Sequence, residues 1–436
     1  MQFYEQRRKN LQRLSRRKKA MGVMRKTKSR TRFWVAAFMC ASTLMAQAQI
    51  RAITAPQIQH DRFSSAATEA DGYVYISGQG PENPDGKVPA TFEEQVRQTL
   101  NNIKAIVEAA GLTMNNVVYT QVYLTDISKY DEMNRIFGEY FPKTPPARAV
   151  LGVAAVRQSP IEINAVAVRD LNDRRAISPP NTNSNDSASP GVLTHDRLFV
   201  SGMAGADPAT GKVPDDPGAQ VDLALDRMQA VLKAAGLDMA NMVFVNPYLT
   251  SEIPGHVMNQ HYARRFEFGN TPARATIEVT SLPGGAHIEY TGVAVRDLAQ
   301  RKAVRPKNMP PSPTASPCVF AGDTLYCSAK DGFIPGPHGG LYATTTQHQL
   351  RQTMRNQLDN LEEADMKFDD VVSTVIYLDN LSDRQAFDQV YAEYFGAIMP
   401  SATTVQQIAP TERKADSEDH FPGLEQVSLI AVRKKK

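Results

Sequence analysis

The pattern of hydrophobic and polar positions near residue 70 predicts a strand followed by an amphipathic helix. The β-branched and aromatic run "YVYIS" at 73–77 is typical of a strand. Thr91 and Glu94 can form a capping box, which marks the start of a helix. Behind it, apolar residues recur at helical spacing at Val96, Leu100, Ile103 and Val107. We therefore predict a helix with one apolar face.

The residues that follow predict three more strands and a second helix. "VVYTQVYL" at 117–124 indicates a buried strand, and "YDEMNRIFGEYF" at 130–141 indicates a helix. "ARAVLGV" at 147–153 and "IEINAVAV" at 161–168 predict two further strands. With a hairpin in front, the order is β-β-α-β-α-β-β, an α+β arrangement. Both helices then cover one face of the sheet, and the other apolar face needs a partner.

This unit occurs three times along the chain. "EAAGLTMNNVVYTQVYLTD" at 108–126 matches 233–251 and, less closely, 362–380. Repeats of this length indicate fused domains rather than a solenoid. We predict an N-terminal segment and three tandem units, at 1–50, 51–172, 173–300 and 301–436. Three such units can bury their helix-free faces against one another as an intramolecular pseudo-trimer.

The joins between the units are predicted to be linkers. Residues 172–190 and 301–317 are rich in proline, asparagine and serine. Such a composition is typical of connecting segments without regular structure.

The first 50 residues have the pattern of a secretory signal. A basic stretch precedes thirteen largely apolar residues at 33–45, and "AQA" at 46–48 is a small-residue cleavage pattern. We predict cleavage after Ala48, because the apolar run is too short to cross a bilayer. The mature chain is then secreted or periplasmic, without membrane association. A basic arm with a short core helix is the alternative, and the protein would then be cytoplasmic.

The charge outside this segment argues against a nucleic-acid partner. The whole chain has a formal net charge of +3, and its first 50 residues account for +12, which leaves −9 for residues 51–436. Proteins that bind phosphate backbones usually carry a basic footprint.

Two cysteines near residue 320 are predicted to face each other. Cys318 and Cys327 flank "VFAGDTLY". If Gly322 and Asp323 form a two-residue hairpin turn, the register pairs the cysteines across the two strands. In an oxidising compartment they can close as a disulfide. Two buried free thiols are the alternative.

An arginine recurs in two nearly identical apolar contexts. Arg148 lies in "TPPARAV" and Arg274 in "TPARAT". Glu162 and Glu289 follow them by 14 or 15 residues, each in another apolar strand. If the two strands are adjacent, Arg148 meets Glu162 and Arg274 meets Glu289. Each pair is then either a structural ion pair at a domain seam or a carboxylate-binding fork beside a glutamate that positions water.

Several motifs together resemble the RidA/YjgF family of reactive enamine and imine deaminases. They are "ISGQ" at 76–79, "VSGM" at 200–203, the repeated "PAR" and "IEINAVAV". The resemblance implies a chorismate-mutase-like fold with sites between subunits. It also implies hydrolysis of 2-imino or enamino acids to 2-keto acids and ammonia, without a metal or organic cofactor. The expected partner is a small-molecule carboxylate.

The resemblance assigns roles to residues of the first two units. Arg148 and Arg274 would bind the substrate carboxylate, and Glu162 and Glu289 would position water. Six further residues would contact the substrate: Ser77, Gly78, Asn134, Ser201, Gly202 and Asn259.

The third unit departs from this pattern at the arginine, the glutamate, the glycine and the asparagine. Ala402 replaces the arginine, Gln426 the glutamate, Ser328–Ala329 the Ser-Gly pair and Asp388 the asparagine. We therefore expect a scaffold copy in unit 3 and sites in units 1 and 2.

The aromatic residue that lines the pocket in the family is also replaced in this chain. A tyrosine is usual, whereas Phe63, Ala188 and Ala315 stand here. This relaxed pocket favours an alternative function, a pseudo-trimer that binds small carboxylates without turnover. An endoribonuclease, as some family members are called, fits the acidic charge less well.

Overall fold

The computed structural model describes most of the chain beyond the N-terminal segment. The described residues are 50–59, 61–157, 159–180, 187–336, 339–417 and 419–434. The predicted leader and its cleavage after Ala48 lie outside them. Within these ranges, none of the helices combines the length and apolar character needed to cross a membrane.

Unit 1 forms a mixed sheet with two helices. Its strands are β1 (Arg51–Ile53), β2 (Ala67–Ala70), β3 (Tyr73–Gln79), β4 (Val117–Leu124), β5 (Ala147–Gly152), β6 (Ala155–Val156) and β7 (Ile161–Val168). Its helices are α1 (Phe92–Ala109) and α2 (Tyr130–Tyr140). The strand order is β1-β2-β3-β7-β4-β5, in which only the β4–β5 pair is parallel.

Unit 2 repeats this arrangement. Its strands are β8 (Arg175–Ile177), β9 (Gly191–Leu193), β10 (Arg197–Ala204), β11 (Met242–Leu249), β12 (Ala273–Arg274), β13 (Ile277–Glu278) and β14 (Ile288–Val295). Its helices are α3 (Pro217–Ala234) and α4 (Gly255–Ala263). The order is β8-β9-β10-β14-β11-β12, and β13 also pairs with β11.

Unit 3 has the same strand order and receives a strand from unit 1. Its strands are β15 (Arg301–Val304), β16 (Cys318–Ala321), β17 (Thr324–Asp331), β18 (Val371–Leu378), β19 (Ser401–Gln406) and β20 (Glu425–Val432). Its helices are α5 (Thr346–Glu363) and α6 (Arg384–Tyr391). The order is β15-β16-β17-β20-β18-β19, and β6 of unit 1 extends the sheet at β19.

Local signals set the long helices as predicted. The capping box of Thr91 and Glu94 is present at the start of α1, and Asp216 and Thr345 cap α3 and α5. After each helix the chain turns through positive φ, at Gly111 and Gly236 in the first two units. Unit 3 makes the same turn with Asp365, because aspartate tolerates this conformation better than most residues.

The helix-free faces of the three sheets meet around a pseudo-threefold axis, as the sequence predicted. One core cluster contains equivalent residues from every unit, including Tyr123, Tyr248 and Tyr377. Three other clusters lie between each sheet and its helices. The fold is therefore α+β, with three tandem units that form an intramolecular pseudo-trimer.

Two details refine the predictions from sequence. The segments expected to be linkers contain the edge strands β8 and β15, which lengthen the sheets of units 2 and 3. The hairpin register predicted around Gly322 is confirmed, with Cys318 opposite Cys327. The structure links these cysteines by a disulfide bond, with their Cα atoms 4.0 Å apart.

Candidate active site

The Ser-Gly motif of each unit forms a β-bulge. The ladder between β10 and β14 slips between Val200 and Met203, which is where Ser201 and Gly202 lie. Equivalent slips occur between Ile76 and Gln79, and between Cys327 and Lys330. Bulges of this kind redirect the chain and are common beside active sites.

Each bulge serine joins its unit to the preceding one. The hydroxyl of Ser201 accepts a hydrogen bond from the backbone N–H of Arg148 (2.7 Å) and donates to the carbonyl of Ser189 (2.6 Å). Ser328 accepts in the same way from Arg274 (2.8 Å), and Ser77 from Ala402 (2.9 Å). These hydroxyls therefore tie the units together, even at Ala402, where no arginine side chain is present.

The candidate residues consequently meet at the contacts between units. We name these contacts the 1–2, 2–3 and 3–1 boundaries, after the two units that form each of them. The 1–2 boundary holds Arg148 of unit 1 and Ser201, Gly202 and Glu289 of unit 2. The 2–3 boundary holds Arg274 with the bulge of unit 3, and the 3–1 boundary holds Ala402 with the bulge of unit 1. Each unit thus contributes to two boundaries.

The expected pairing of Arg148 with Glu162, and of Arg274 with Glu289, is wrong. Strand β4 lies between β5, which carries Arg148, and β7, which carries Glu162. In unit 2, β11 separates Arg274 from Glu289 in the same way. The two strands are close together in the sequence, but a third strand lies between them in the sheet.

Arg148 and Glu289 instead line one cavity of about 410 Å³ at the 1–2 boundary. Tyr130, Ala188 and Arg227 also line it. Ala188 occupies the place predicted for the pocket aromatic, and several proline residues complete the wall: Pro179, Pro180, Pro190, Pro208 and Pro283.

The side chain of Arg148 is held in place by Asn134 and Phe137. One guanidinium nitrogen, Nη2, donates to Oδ1 of Asn134, and the group lies 4.4 Å from the centre of the Phe137 ring. The other nitrogen, Nη1, is buried without a hydrogen-bond partner. Burial lowers the pKa of Arg148, and the nearby Tyr130 and, to a smaller extent, the field of Glu289 oppose this shift. Asn134 therefore positions the arginine, and Nη1 remains available to an anion.

Glu289 packs over the bulge glycine. A Cβ atom at Gly202 would lie 1.9 Å from Oε1 of Glu289, so the carboxyl group needs a glycine there. That Oε1 atom is buried without a hydrogen-bond partner. Burial raises the pKa of Glu289 to about 8, and the nearby charges of Arg227 and Arg148 partly oppose the shift.

Arg227 of α3 was not identified from the sequence. Its Nη1 donates to the carbonyls of Ala204 (2.8 Å) and Ala206 (3.2 Å), on the strand end and loop beside the cavity. Asn102 and Asn356 make the equivalent bonds in the other units. A comparison of the three repeats at this helix position could have revealed the extra charge.

The 2–3 boundary keeps the arginine and loses the glutamate. Arg274 donates to Oδ1 of Asn259 (2.7 Å), as Arg148 does to Asn134. Gln426 stands where a glutamate was expected, beside Ala329 instead of glycine.

The 3–1 boundary keeps the glutamate and loses the arginine. Glu162 packs over Gly78, where a Cβ atom would lie 2.0 Å from its Oε1. Nε of Arg157 lies 3.8 Å from the Glu162 carboxylate, and Arg157 also binds Asp61 (3.0 Å). Asp61 is shared with Arg384 (3.1 Å), so the charges here are compensated within the protein.

Only the 1–2 boundary therefore combines a buried arginine with a buried glutamate among the described residues. The expectation of one such pair within each of units 1 and 2 is corrected to one pair shared between them. The structure brings together Arg148, Asn134, Ser201, Gly202 and Glu289. It places Ser77, Gly78 and Glu162 at the 3–1 boundary, and Arg274 and Asn259 at the 2–3 boundary. Over the described ranges, no cluster of His, Cys, Asp and Glu suited to a metal ion is found.

Comparison with known proteins matches each of the three units. Residues 53–169, 182–296 and 308–415 match the family model described as Endoribonuclease L-PSP. A RutC family protein of Aquifex aeolicus is 42% identical over 109 residues, which cover 24% of this chain and 87% of that protein.

A mouse protein and a yeast structure are also similar over about the length of one unit. The 2-iminobutanoate/2-iminopropanoate deaminase of Mus musculus is 43% identical over 108 residues, covering 24% of this chain and 80% of the mouse protein. The crystal structure of yeast Mmf1 is 28% identical, with a TM-score of 0.28, over 28% of this chain and 100% of the yeast chain.

Proposed function

The chain belongs to the endoribonuclease L-PSP family, and on that premise we propose that its 1–2 boundary hydrolyses reactive 2-imino or enamino acids. The products are 2-keto acids and ammonia. The observation that carries this proposal is that Arg148 and Glu289 face one cavity from different units, each with a buried atom that lacks a hydrogen-bond partner. The space between them suits a small molecule with a carboxylate and a C=N group.

Arg148 anchors the substrate carboxylate. A guanidinium binds carboxylates through charge-assisted hydrogen bonds, which are stronger than neutral ones. Asn134 and the Phe137 ring already fix its orientation, so little side-chain freedom is lost on binding. The bound carboxylate compensates the buried charge.

Glu289 moves the protons of the reaction. Its pKa of about 8 makes the carboxyl group mainly protonated at neutral pH, and it donates this proton to the imine nitrogen. The resulting carboxylate takes a proton from water as the water oxygen bonds to C2. It returns this proton to nitrogen, the C–N bond breaks, and ammonia leaves. The Glu289 carboxylate takes up the remaining hydroxyl proton as the 2-keto acid forms, and this restores its protonated state.

The walls of the cavity favour substrates with larger side chains. Ala188 stands where a tyrosine is usual in the family, and the cavity holds about 410 Å³. Removing an aromatic ring from a pocket opens space for apolar groups of the ligand. We expect imines of branched and aromatic amino acids to be turned over at least as well as the imine of alanine.

Two matched variants test this proposal. Imines generated by an amino-acid oxidase are supplied to the protein, and the protein-dependent rate of ammonia release is measured. Arg148→Ala should lower kcat/KM by about 100-fold or more, because the lost contact is a charged one at the reacting molecule. Arg274→Ala removes the same residue type from a boundary without a glutamate, and should stay within about twofold of the parent.

Equal losses in the two variants would overturn the assignment of the reaction to the 1–2 boundary. Turnover that survives both changes would overturn the role of arginine altogether. Binding of a 2-keto acid without any ammonia release would support the alternative of a carboxylate-binding protein without turnover.

RNA cleavage is not proposed despite the name of the family. Residues 51–436 carry a net charge of −9, which is unfavourable for a polyanionic partner. We further propose export, from the leader pattern that ends at Ala48. Recovery of the protein outside the cytoplasm with Gln49 as its first residue would support export, and an intact N-terminus on all of the protein would contradict it.

A further inference from the structure

The 2–3 boundary contains a second cavity, of about 330 Å³, with two cations in its wall. Arg274 comes from β12 of unit 2, and Lys330 comes from β17 of unit 3. Neither side chain forms an ion pair with a carboxylate in the part of the chain that the structure describes. The guanidinium of Arg274 donates to Oδ1 of Asn259 (2.7 Å) and to the sulfur of Met258 (3.8 Å), which are uncharged.

The wall of this cavity has lost its acidic group. Gln426 is neutral, and its Nε2 lies 3.5 Å from the carbonyl of Thr276, on the unit 2 side. Asp331 follows Lys330 in the same strand, but its carboxylate accepts hydrogen bonds from Tyr342 (2.7 Å) and from the backbone of Phe333 (3.3 Å). Burial lowers the pKa of Lys330, and the field of Asp331 opposes that shift.

Two poorly compensated cations in one cavity are costly unless an anion joins them. We propose that the 2–3 boundary is a binding site for small dicarboxylate anions and does not hydrolyse them. Arg274 holds one carboxylate with its guanidinium fork, and Lys330 holds the other as a point charge. Gln426 can donate a hydrogen bond, but it cannot accept the proton of an attacking water.

The separate origins of the two cations favour a dicarboxylate over a more compact dianion. Arg274 and Lys330 belong to different units, so they offer two points of attachment rather than one. Phosphate concentrates its charge on a single centre and would satisfy one of them best. At the 1–2 boundary, Met203 stands at the position of Lys330 and Glu289 at that of Gln426. The second cation of that cavity, Arg227, donates to backbone carbonyls and acts on the buried Glu289, so it is no counterpart of Lys330.

Calorimetry on the full-length chain tests this site. Succinate, pyruvate and inorganic phosphate are titrated into the Arg148→Ala variant, which has lost the carboxylate anchor of the 1–2 boundary. We expect succinate to bind about 10-fold or more tightly than pyruvate or phosphate. Lys330→Met should remove this preference and leave pyruvate binding within about twofold, because one of the two charge contacts is lost.

Arg274→Ala should abolish binding of both carboxylates, whereas Lys330→Arg should retain the preference for succinate. Thermal melting identifies any variant that fails to fold, and Lys330→Met keeps the length and apolar stem of the side chain. The proposal is overturned if succinate shows no preference over pyruvate, if phosphate binds more tightly, or if Lys330→Met keeps the preference. These measurements do not depend on whether the 1–2 boundary is catalytic.

Discussion

Arg148 and Glu289 belong to different repeats of the chain, yet both side chains line the same cavity. Each unit contributes its arginine position to one boundary and its glutamate position to another. A single altered unit therefore changes the residues of two of the three boundaries. In this protein Ala402 removes the arginine at the 3–1 boundary, and Gln426 removes the glutamate at the 2–3 boundary.

The pH dependence of turnover should follow Glu289. Burial raises its pKa to about 8, so the protonated form that donates to the imine is present below that pH and is lost above it. We expect kcat/KM to fall as pH rises through about 8. Glu289→Gln should lower kcat/KM by about 100-fold and remove this limb.

Glu162→Gln is the matched control, since it changes a buried glutamate at the 3–1 boundary. It should keep both the rate and the pH profile of the parent. If kcat/KM of Glu289→Gln still falls near pH 8, a group other than Glu289 controls the pH dependence.

Replacing the bulge glycine should displace the glutamate without unfolding the protein. In Gly202→Ala the new Cβ would lie 1.9 Å from Oε1 of Glu289, and the flexible carboxyl group would move away. We expect kcat/KM to fall about 100-fold while the melting temperature changes by only a few degrees, since Ala329 occupies the equivalent position in unit 3.

Gly78→Ala places the same clash against Glu162 (2.0 Å) and serves as the control. It should leave ammonia release close to that of the parent. Comparable losses in both alanine variants would mean that the bulges matter for folding rather than for the position of Glu289.

Arg227 should tune the proton affinity of Glu289. Its positive charge opposes the effect of burial on the pKa of the carboxyl group. Arg227→Asn introduces the residue that makes the same backbone contacts in units 1 and 3, at Asn102 and Asn356. We expect the variant to fold. We also expect the pH at which its kcat/KM falls to lie above the value of about 8 for the parent. A pH profile identical to that of the parent would contradict this electrostatic role.

Glu425 should make stability depend on pH in unit 3. It is buried, accepts a hydrogen bond from the Thr353 hydroxyl, and has a pKa raised to about 8 by burial. Its stabilising contribution is complete below the unfolded pKa of about 4.3 and is lost as pH rises through about 8. The difference in melting temperature between Glu425→Gln and the parent should therefore grow in favour of the variant over that range.

The expected size of this effect is on the order of 1 kcal/mol per pH unit between the two pKa values. Melting curves of the variant and the parent at pH 5, 6.5 and 8 measure it. Taking the difference between the two proteins removes the contributions of titrating groups that both contain. A constant difference across these pH values would show that Glu425 does not hold its proton in the folded state.

Local patterns in the sequence were sufficient to predict the repeated elements. The periodicity around Leu100, the capping box at Thr91 and the hairpin at Gly322 all depend on residues close together in the chain. The apolar helix-free faces also predicted the pseudo-trimer, because a sheet cannot leave such a face exposed to water.

The composition of the site was largely predictable, whereas its pairing was not. Arg148 and Glu289 were both identified as candidates, since buried charges in apolar strands are unusual. Arg227 was missed because it lies on a helix, where an arginine is common and gives no signal of function.

By itself, the sequence determined three copies of one α+β unit and the loss of the key residues from the third. Only the tertiary structure decided which residues share a cavity. Strand β4 lies between β5 and β7, and the bulge of the next unit approaches from the other side. Local spacing cannot reveal such contacts, because they depend on how three sheets pack about a common axis and not on distance along the chain.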